Sequence, residues 1–452
     1  MRSRLCDLLL LAAIGFGFFG PQMLFGQDQA PARDEHHHMP GMRHEHPPSS
    51  NPATPLVQLI MAHETSGTSV QPEFAPLQYP MPMEQKGSWM LMFHGEAFLN
   101  LEQQSGQRGY DKTFSTNWFM LMGERPLGSG QLTLRSMVSL EPATVTHRFY
   151  PEMFQQGETA FGRPITDGQH PHDFLMEIAA LYDWRVGENQ LVSFYAAPVG
   201  DPALGPVAYP HRSSAIENPI APLGHHLEDS THIASDVLTG GFAWKLARFE
   251  ASGFHGREPD EHRWDLDSGK IDSWSTRLTV QPAHNWTAQY SFGHLTSPEA
   301  LHPIEDLQRM TASISYDGWQ GEKQNFAATL LWGRNHSLAS GENFNGYLAE
   351  ATLHIQPHNF WGRIENVDRT SELLLGKNLE PAGFEDQFLA RIQAYTLGYD
   401  HELKALPHLS VAFGGQVTFY HTPSFLNPIY GDHPVGALLF LRVRPVGSMH
   451  HH

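Results

Sequence analysis

Between Ile271 and Leu295 the side chains change character at almost every residue. Trp274, Thr276, Leu278 and Val280 interleave with Ser273, Ser275, Arg277 and Thr279. After a Pro-Ala-His-Asn break, Trp286, Ala288, Tyr290 and Phe292 interleave with Asn285, Thr287, Gln289 and Ser291. A period of two is a strand period, because successive side chains of an extended chain leave on opposite faces. Two such runs around a tight break predict a hairpin. One face is apolar with aromatics at its ends, and the other is polar but scarcely charged. A soluble sheet hides its apolar face against a second layer. A membrane barrel turns that face to lipid and the polar one to a wet lumen.

The same unit recurs along the chain. Sixteen strands are expected, at about 88–101, 112–124, 129–141, 171–186, 190–199, 231–246, 248–256, 272–281, 284–295, 306–317, 323–335, 344–356, 358–369, 388–402, 408–420 and 435–444. The connections after the second, fourth and later even strands are short: ERPLG, GEN, KLA, PAH, DGWQG, QPH and LKALPH. Those after odd strands are mostly longer, and two, 141–170 and 200–230, are very long. Short turns alternating with long loops are the signature of an up-and-down membrane barrel, with the long loops outside. The charges keep to one parity: Arg309 and Asp317 oppose Met310, Ala312, Ile314 and Tyr316, and Glu350 opposes Tyr347, Ala349 and Ala351. Arg442 and Arg444 alternate with Leu441 and Val443. An Arg or Lys on the lipid face near the midplane costs roughly 2–4 kcal/mol. The expected fold is therefore all-β: a single antiparallel transmembrane barrel of about sixteen strands, with long external loops folded inward. A soluble propeller is the rival, but its loops need not alternate in length. A barrel of this size is wide enough for an aqueous channel.

Composition narrows the setting. Of 452 residues, 40% are hydrophobic and the mean hydropathy is -0.37, which excludes a bundle of membrane helices. The net charge of -19 excludes a general nucleic-acid binder, which needs a basic stripe. The one cysteine, Cys6, permits no disulfide framework and no thiolate metal site. Arg2 and Arg4 before an apolar run at 8–19 read as a secretory signal, taken as 1–26. Residues 27–86, rich in His, Met and Pro, read as a flexible leader, within which the apolar run 56–61 forms a helical turn or docks on the main domain. The barrel domain is 87–445, and 446–452 is a tail. Export without a spanning helix and with this strand pattern points to the bacterial outer membrane. The expected partners are outer-membrane lipid, small polar solutes or metal ions and, in a homotrimer, copies of the chain itself.

Four groups of residues carry candidate chemistry. In the leader, His36, His37, His38, Met39, Met42, His44 and His46 offer imidazoles and thioethers, which suit copper or zinc. At the loop ends, His170, His172, Asp173, His225, His226, Asp229 and His232 fall at one level of the barrel. If they meet, neutral imidazoles bind a divalent metal and release it on protonation below about pH 6. The bland alternative is a hydrogen-bonded network tying the loops to the wall. In the first strand, Met90, Met92, His94 and Glu96 share the inward parity and form a stripe able to pass soft cations or simply to pack under a loop. The lumen is further expected to be lined by Arg277, Arg309, Asp317, Glu350, Arg442 and Arg444. Asp229-Ser230-Thr231-His232 holds a carboxylate, a hydroxyl and an imidazole, but without a GxSxG elbow, and no catalytic residue is assigned. No cofactor is required. Gly240-Gly241 reads as a bulge, and His170-Pro171-His172 as a strand start.

The runs FSTNWFM, SLEPATVTHRFYPEMFQQGETAFGRPITDGQHPHDF, YAAPVGDPALGPVAYPHR, LGHHLEDSTHIASDVLTGG and FEASGFHGREPDEHRWDLDSGKIDSW resemble a family of uncharacterised bacterial exported proteins of β-barrel character. The resemblance spans about 89–445 and implies the fold, not an activity. A His/Met-rich leader ahead of a barrel is also similar, in architecture alone, to copper-resistance outer-membrane proteins. The expected function is a porin-like passage for small polar solutes or cations, linked to copper handling. The alternative is a barrel with a binding or hydrolytic site built by its loops.

Overall fold

The computed structural model describes residues 55–72, 81–146, 148–319, 324–376, 389–406 and 408–447. Nineteen strands occur there: β1 (Met83–Lys86), β2 (Trp89–Gln104), β3 (Lys112–Leu127), β4 (Gly130–Val138), β5 (Tyr150–Ala160), β6 (Arg163–Gln169), β7 (Leu175–Gly187), β8 (Gln190–Gly200), β9 (Ala234–Trp244), β10 (Ala247–His255), β11 (Ser273–Ala283), β12 (Trp286–Leu295), β13 (Leu307–Trp319), β14 (Gln324–Ser337), β15 (Asn343–Ile355), β16 (His358–Thr370), β17 (Leu389–Leu406), β18 (Leu409–His421) and β19 (Val435–Pro445). All but β1, β5 and β6 pair with their neighbours in an antiparallel ring of sixteen. The ring closes where β19 meets β2, from Gly436 opposite Gln104 to Val443 opposite Ala97. Closure leaves the wall with no free edge, so every strand can satisfy its backbone inside lipid. β1 folds back on the start of β2. β4 pairs directly with β7, and the intervening β5 and β6 form a separate hairpin.

The alternation read from sequence sorts the two faces. Leu397, Leu330, Phe249, Ile364 and Leu439 are exposed outward. Arg277, Arg309, Asp317, Glu350, Arg442 and Arg444 are buried on the other side. Buried charges survive only when paired or hydrogen-bonded. Asp317 accepts from the Asn325 side-chain amide at 2.6 Å, and the five others are ion-paired. Glu350 lies 2.6 Å from Arg212 and 3.0 Å from Arg363. Arg277 lies 3.1 Å from Glu250, Arg442 2.7 Å from Asp400, and Arg444 2.7 Å from Glu96 and 2.9 Å from Glu217.

The second long loop does fold inward as expected, and it occupies the lumen rather than only narrowing its mouth. From Asp201 to Ile233 every residue is buried except Ser213, Ile216 and Ser230, which are half-buried. A chain segment of this length, inside a closed ring, takes the place that pore water would hold. The residues expected to line a pore do point inward, but onto this plug.

A second plug comes from the stretch read as flexible. Helix Pro55–Ala62 buries Leu56, Val57 and Ile60 against Leu191 and Ala243, beside the short turns. The chain then enters the ion-paired lumen. Arg135 donates to the carbonyls of Thr65 and Gly67, each at 2.6 Å, while its Nε faces Glu177 at 2.6 Å. Arg248 donates to the Thr68 carbonyl at 2.7 Å, and Ser66 donates to Asp201 at 2.9 Å. Gly67 has φ +57, and a Cβ there would run into Asp201. Only glycine takes that turn against that wall without strain. The metal-binding candidates His36 to His46 lie outside the described residues.

Two local expectations also change. The β8–β9 register runs unbroken through Gly240 and Gly241. The irregularity falls between Gly253 and His255 on the β10 side, opposite Asp236, whose φ is 54. Val237 is therefore inward and fully buried, while Leu238, Phe242 and Trp244 face out. His170, Pro171 and His172 precede β7 rather than begin it. Their polar groups serve loop contacts instead of the strand ladder.

Candidate functional site

Beneath the long-loop end, the two plug loops meet. The first turns through a short helix, Glu141–Thr144, and the β5–β6 hairpin. The second ends in a helical turn, His225–Glu228, and a 3-10 turn, Ser230–His232. Their junction brings His170 and His226 to a ring separation of 5.4 Å, and His225 and His226 to 5.1 Å. His232 stands 5.3 Å from both His172 and His225. Tyr209 packs against His172, His225 and His232. A cavity of about 20 Å³ lies among these imidazoles with Glu158, Asp173, Glu258 and Arg263. That volume holds roughly one water molecule.

Two carboxylates orient the rings. Asp229 accepts from His225 Nδ1 at 2.7 Å through one oxygen. Its other oxygen accepts from Arg212 at 3.1 Å and from the Tyr209 amide at 3.0 Å. Its carbonyl accepts from His232 Nδ1 at 2.8 Å. Glu141 accepts from His172 Nδ1 at 3.0 Å and from the His172 amide at 2.8 Å. Asp173 instead pairs with Arg263 at 3.2 Å, and Arg263 also holds Glu158 at 2.7 Å beside His170. His226 Nδ1 and His232 Nε2 are buried without a hydrogen-bond partner among the described residues.

The electrostatics favour the uncharged form at three of the rings. Burial holds His170, His226 and His232 well below the usual imidazole range, and neighbouring rings add to it. Burial would lower His172 too, but the Glu141 carboxylate outweighs it and holds that ring above its ordinary value. Burial pushes Glu158 up to about 7 and Asp173 up to about 6, against the pull of Arg263. The site therefore offers unprotonated nitrogens on His170, His226 and His232, and weakly acidic carboxyls, in a nearly dry space. It can hydrogen-bond a small polar guest, or ligate an ion, at low desolvation cost to itself. Among the described residues, no three His, Asp or Glu side chains are already arranged as around a bound metal.

Other candidates separate from this cluster. Among the described residues, the side-chain partner of the Ser230 hydroxyl is Arg309, from which it accepts at 2.8 Å. Met92 and Glu96 are buried inward, and Met90 packs against Met92, Met81 and Met122. His94 contacts Met120. Sequence reasoning named His211 among the loop histidines but passed over Glu141, Glu158, Tyr209 and Arg263. Glu141 and Glu158 sit in the first long loop and Tyr209 in the second, and the length of those loops was the one signal that could have found them. Arg263 lies in the loop between β10 and β11 and carried no such signal.

No protein-family model matches the chain, and no curated protein matches it. Among solved structures it is similar to an anion-selective porin from Comamonas acidovorans, at 11% identity over 79% of this chain and 99% of that one, with a TM-score of 0.49. It is similar to the outer-membrane channel DcaP of Acinetobacter baumannii at 10% identity, 80% and 99% coverage and TM-score 0.43. For Salmonella typhi OmpF, the figures are 10%, 80%, 99% and 0.47. On its own geometry, a closed ring of sixteen antiparallel strands with an apolar outer face, the chain is a β-barrel of the membrane-spanning kind.

Proposed function

We propose that this barrel is a gated facilitator for small polar solutes or cations, held shut by its own leader segment and its second long loop. The observation that carries the reading is the burial of 201–233 inside a closed ring. A permanently sealed barrel would do as well with an apolar core. Here the plug rests on hydrogen bonds and ion pairs, which water can replace when the segments shift. The net charge of -19 favours cations as the guests. Planar-bilayer conductance tests it. The full chain should be nearly silent, and deletion of 55–72 with shortening of 200–230 should give stable open channels. A wide open conductance in the intact chain, or silence after both changes, overturns the reading.

A second reading has one specific support: a divalent copper or zinc ion held by His172, His225 and His232. Each ring has its Nδ1 fixed by an oxygen, the arrangement that aims the other nitrogen of a metal-ligating histidine. Rings bound through Nε2 to one tetrahedral ion have centroids roughly 5.2 Å apart, and two pairs here lie at 5.3 Å. Metal binding by leader-deleted protein, compared with the same protein carrying His172→Ala, His225→Ala and His232→Ala, decides it. Unchanged stoichiometry assigns any bound metal elsewhere.

A further inference from the structure

We propose that His94, Met120, Met137 and His211 form a binding site for a soft monovalent cation of the Cu(I) or Ag(I) kind, set in the barrel wall below the external cluster. His94 Nε2 lies 3.1 Å from the Met120 sulfur. His211 Nε2 lies 3.2 Å from the Met137 sulfur. The two sulfurs come from directly paired positions, since Met120 opposes Met137 in the β3–β4 register, and His94 opposes Met120 in the β2–β3 register. The two imidazole rings are 6.2 Å apart. Two imidazole–thioether contacts therefore stand side by side, with their sulfurs on paired strand positions and their rings 6.2 Å apart.

Ordinary packing accounts for the methionines but not for the histidines. Met120 and Met137 are fully buried, as core methionines often are. A buried imidazole, however, needs a competent hydrogen-bond partner, and a thioether is a weak one. Among the described residues, the sulfur contact is the one hydrogen bond that either ring makes. His172, His225 and His232 are served by carboxylates or carbonyls. His94 and His211 are instead aimed at sulfur, which is the donor that selects Cu(I) over the harder divalent ions.

The surroundings suit a cation. Trp118 packs against His211 at 4.2 Å and His94 at 5.2 Å between ring centroids, and its indole N–H is fixed by Glu96 at 3.1 Å. A cation bound between the rings lies beside an aromatic face, which attracts it. The nearby positive charge of Arg135 is answered by Glu177 at 2.6 Å. The site stands apart from the gating reading, because a barrel that never conducts can still hold the ion.

The test uses the full chain in detergent and Ag(I), which needs no reductant. Ag(I) stoichiometry is measured by equilibrium dialysis for the wild type and for Met120→Leu/Met137→Leu, a near-isosteric pair that keeps the core filled. Heat-modifiable migration confirms that the variant barrel is closed. The variant should lose one equivalent of Ag(I) and keep its Zn(II) binding. Equal Ag(I) binding in both proteins means packing only and overturns the proposal. If the variant does not close, X-ray absorption of wild type loaded with one equivalent decides. Mixed nitrogen and sulfur neighbours support the site, and a shell of nitrogen and oxygen alone overturns it.

Discussion

The lumen holds two kinds of buried wall. Arg212, Glu350 and Arg363 form one, and Met120, Met137 and Met176 belong to the other; all six are at most 4% exposed. The first wall is made of charges that depend on one another. Glu350 accepts from both arginines, and Arg212 also donates to Asp229 at 3.1 Å and to the Val207 carbonyl at 2.9 Å. The second is made of polarizable side chains that depend only on being surrounded. Equal burial thus hides unequal fragility. A buried charge is held by its partners, and a buried thioether by its volume.

The largest expected effect breaks the charged wall. Arg212→Met should cost about 3–5 kcal/mol, because Glu350 and Asp229 each lose a partner in a dry interior. The midpoint of denaturant unfolding in detergent measures it. A loss below about 1 kcal/mol would mean that water reaches these pairs and screens them as at a surface.

Next comes the grip on the leader. Arg135→Gln removes a charged donor from the Thr65 and Gly67 carbonyls. Hydrogen bonds to charged groups contribute about 1.5–3 kcal/mol each. Residues 55–72 should become open to protease and the channel should conduct intermittently. Protection equal to wild type would place the anchor in the apolar helix face instead.

Acidity sharpens the comparison at the same junction. Burial pushes Asp201 up to about 7 from its ordinary 3.8. A raised carboxyl stabilises the folded state relative to the unfolded one fully below 3.8 and loses that contribution as pH rises through about 7. The folded barrel should therefore be more stable at about pH 5 than at about pH 8. The unfolding midpoint in detergent across that range reports it, and Asp201→Asn should flatten the profile.

The smallest effect concerns the thioether wall. Met120→Leu and Met137→Leu should each cost less than about 1.5 kcal/mol, since volume and hydrophobicity are kept. A larger loss would show that the sulfurs themselves hold the wall through their imidazole contacts.

Much of the fold was legible because a barrel repeats one local rule. Trp274, Leu278, Tyr290 and Phe292 alternate with serines and threonines wherever lipid meets one face and the lumen the other. The expected strands 190–199, 358–369 and 435–444 lie within a residue of the observed ones. The inward course of both long loops followed from their length and low charge. The β5–β6 hairpin was not legible. Its sequence, YPEMFQQGETA, carries no clean alternation, because it is buried on nearly every side. The docked course of residues 63–70 was hidden for a related reason. HETSGTSV has the composition of a linker, and it is ordered only because Arg135, Glu177 and Arg248 supply partners for its backbone.

The sequence by itself determined the strand count, the two faces, the short and long ends and the level at which the loop histidines arrive. Each of these follows from local alternation and from counting residues between turns. The tertiary structure alone decided what fills the ring, which arginine meets which carboxylate, and that His211 from a loop comes to the sulfur of Met137 on β4. Those pairings join residues up to hundreds of positions apart. Their energies depend on distance in space and on exclusion of water, neither of which is written along the chain.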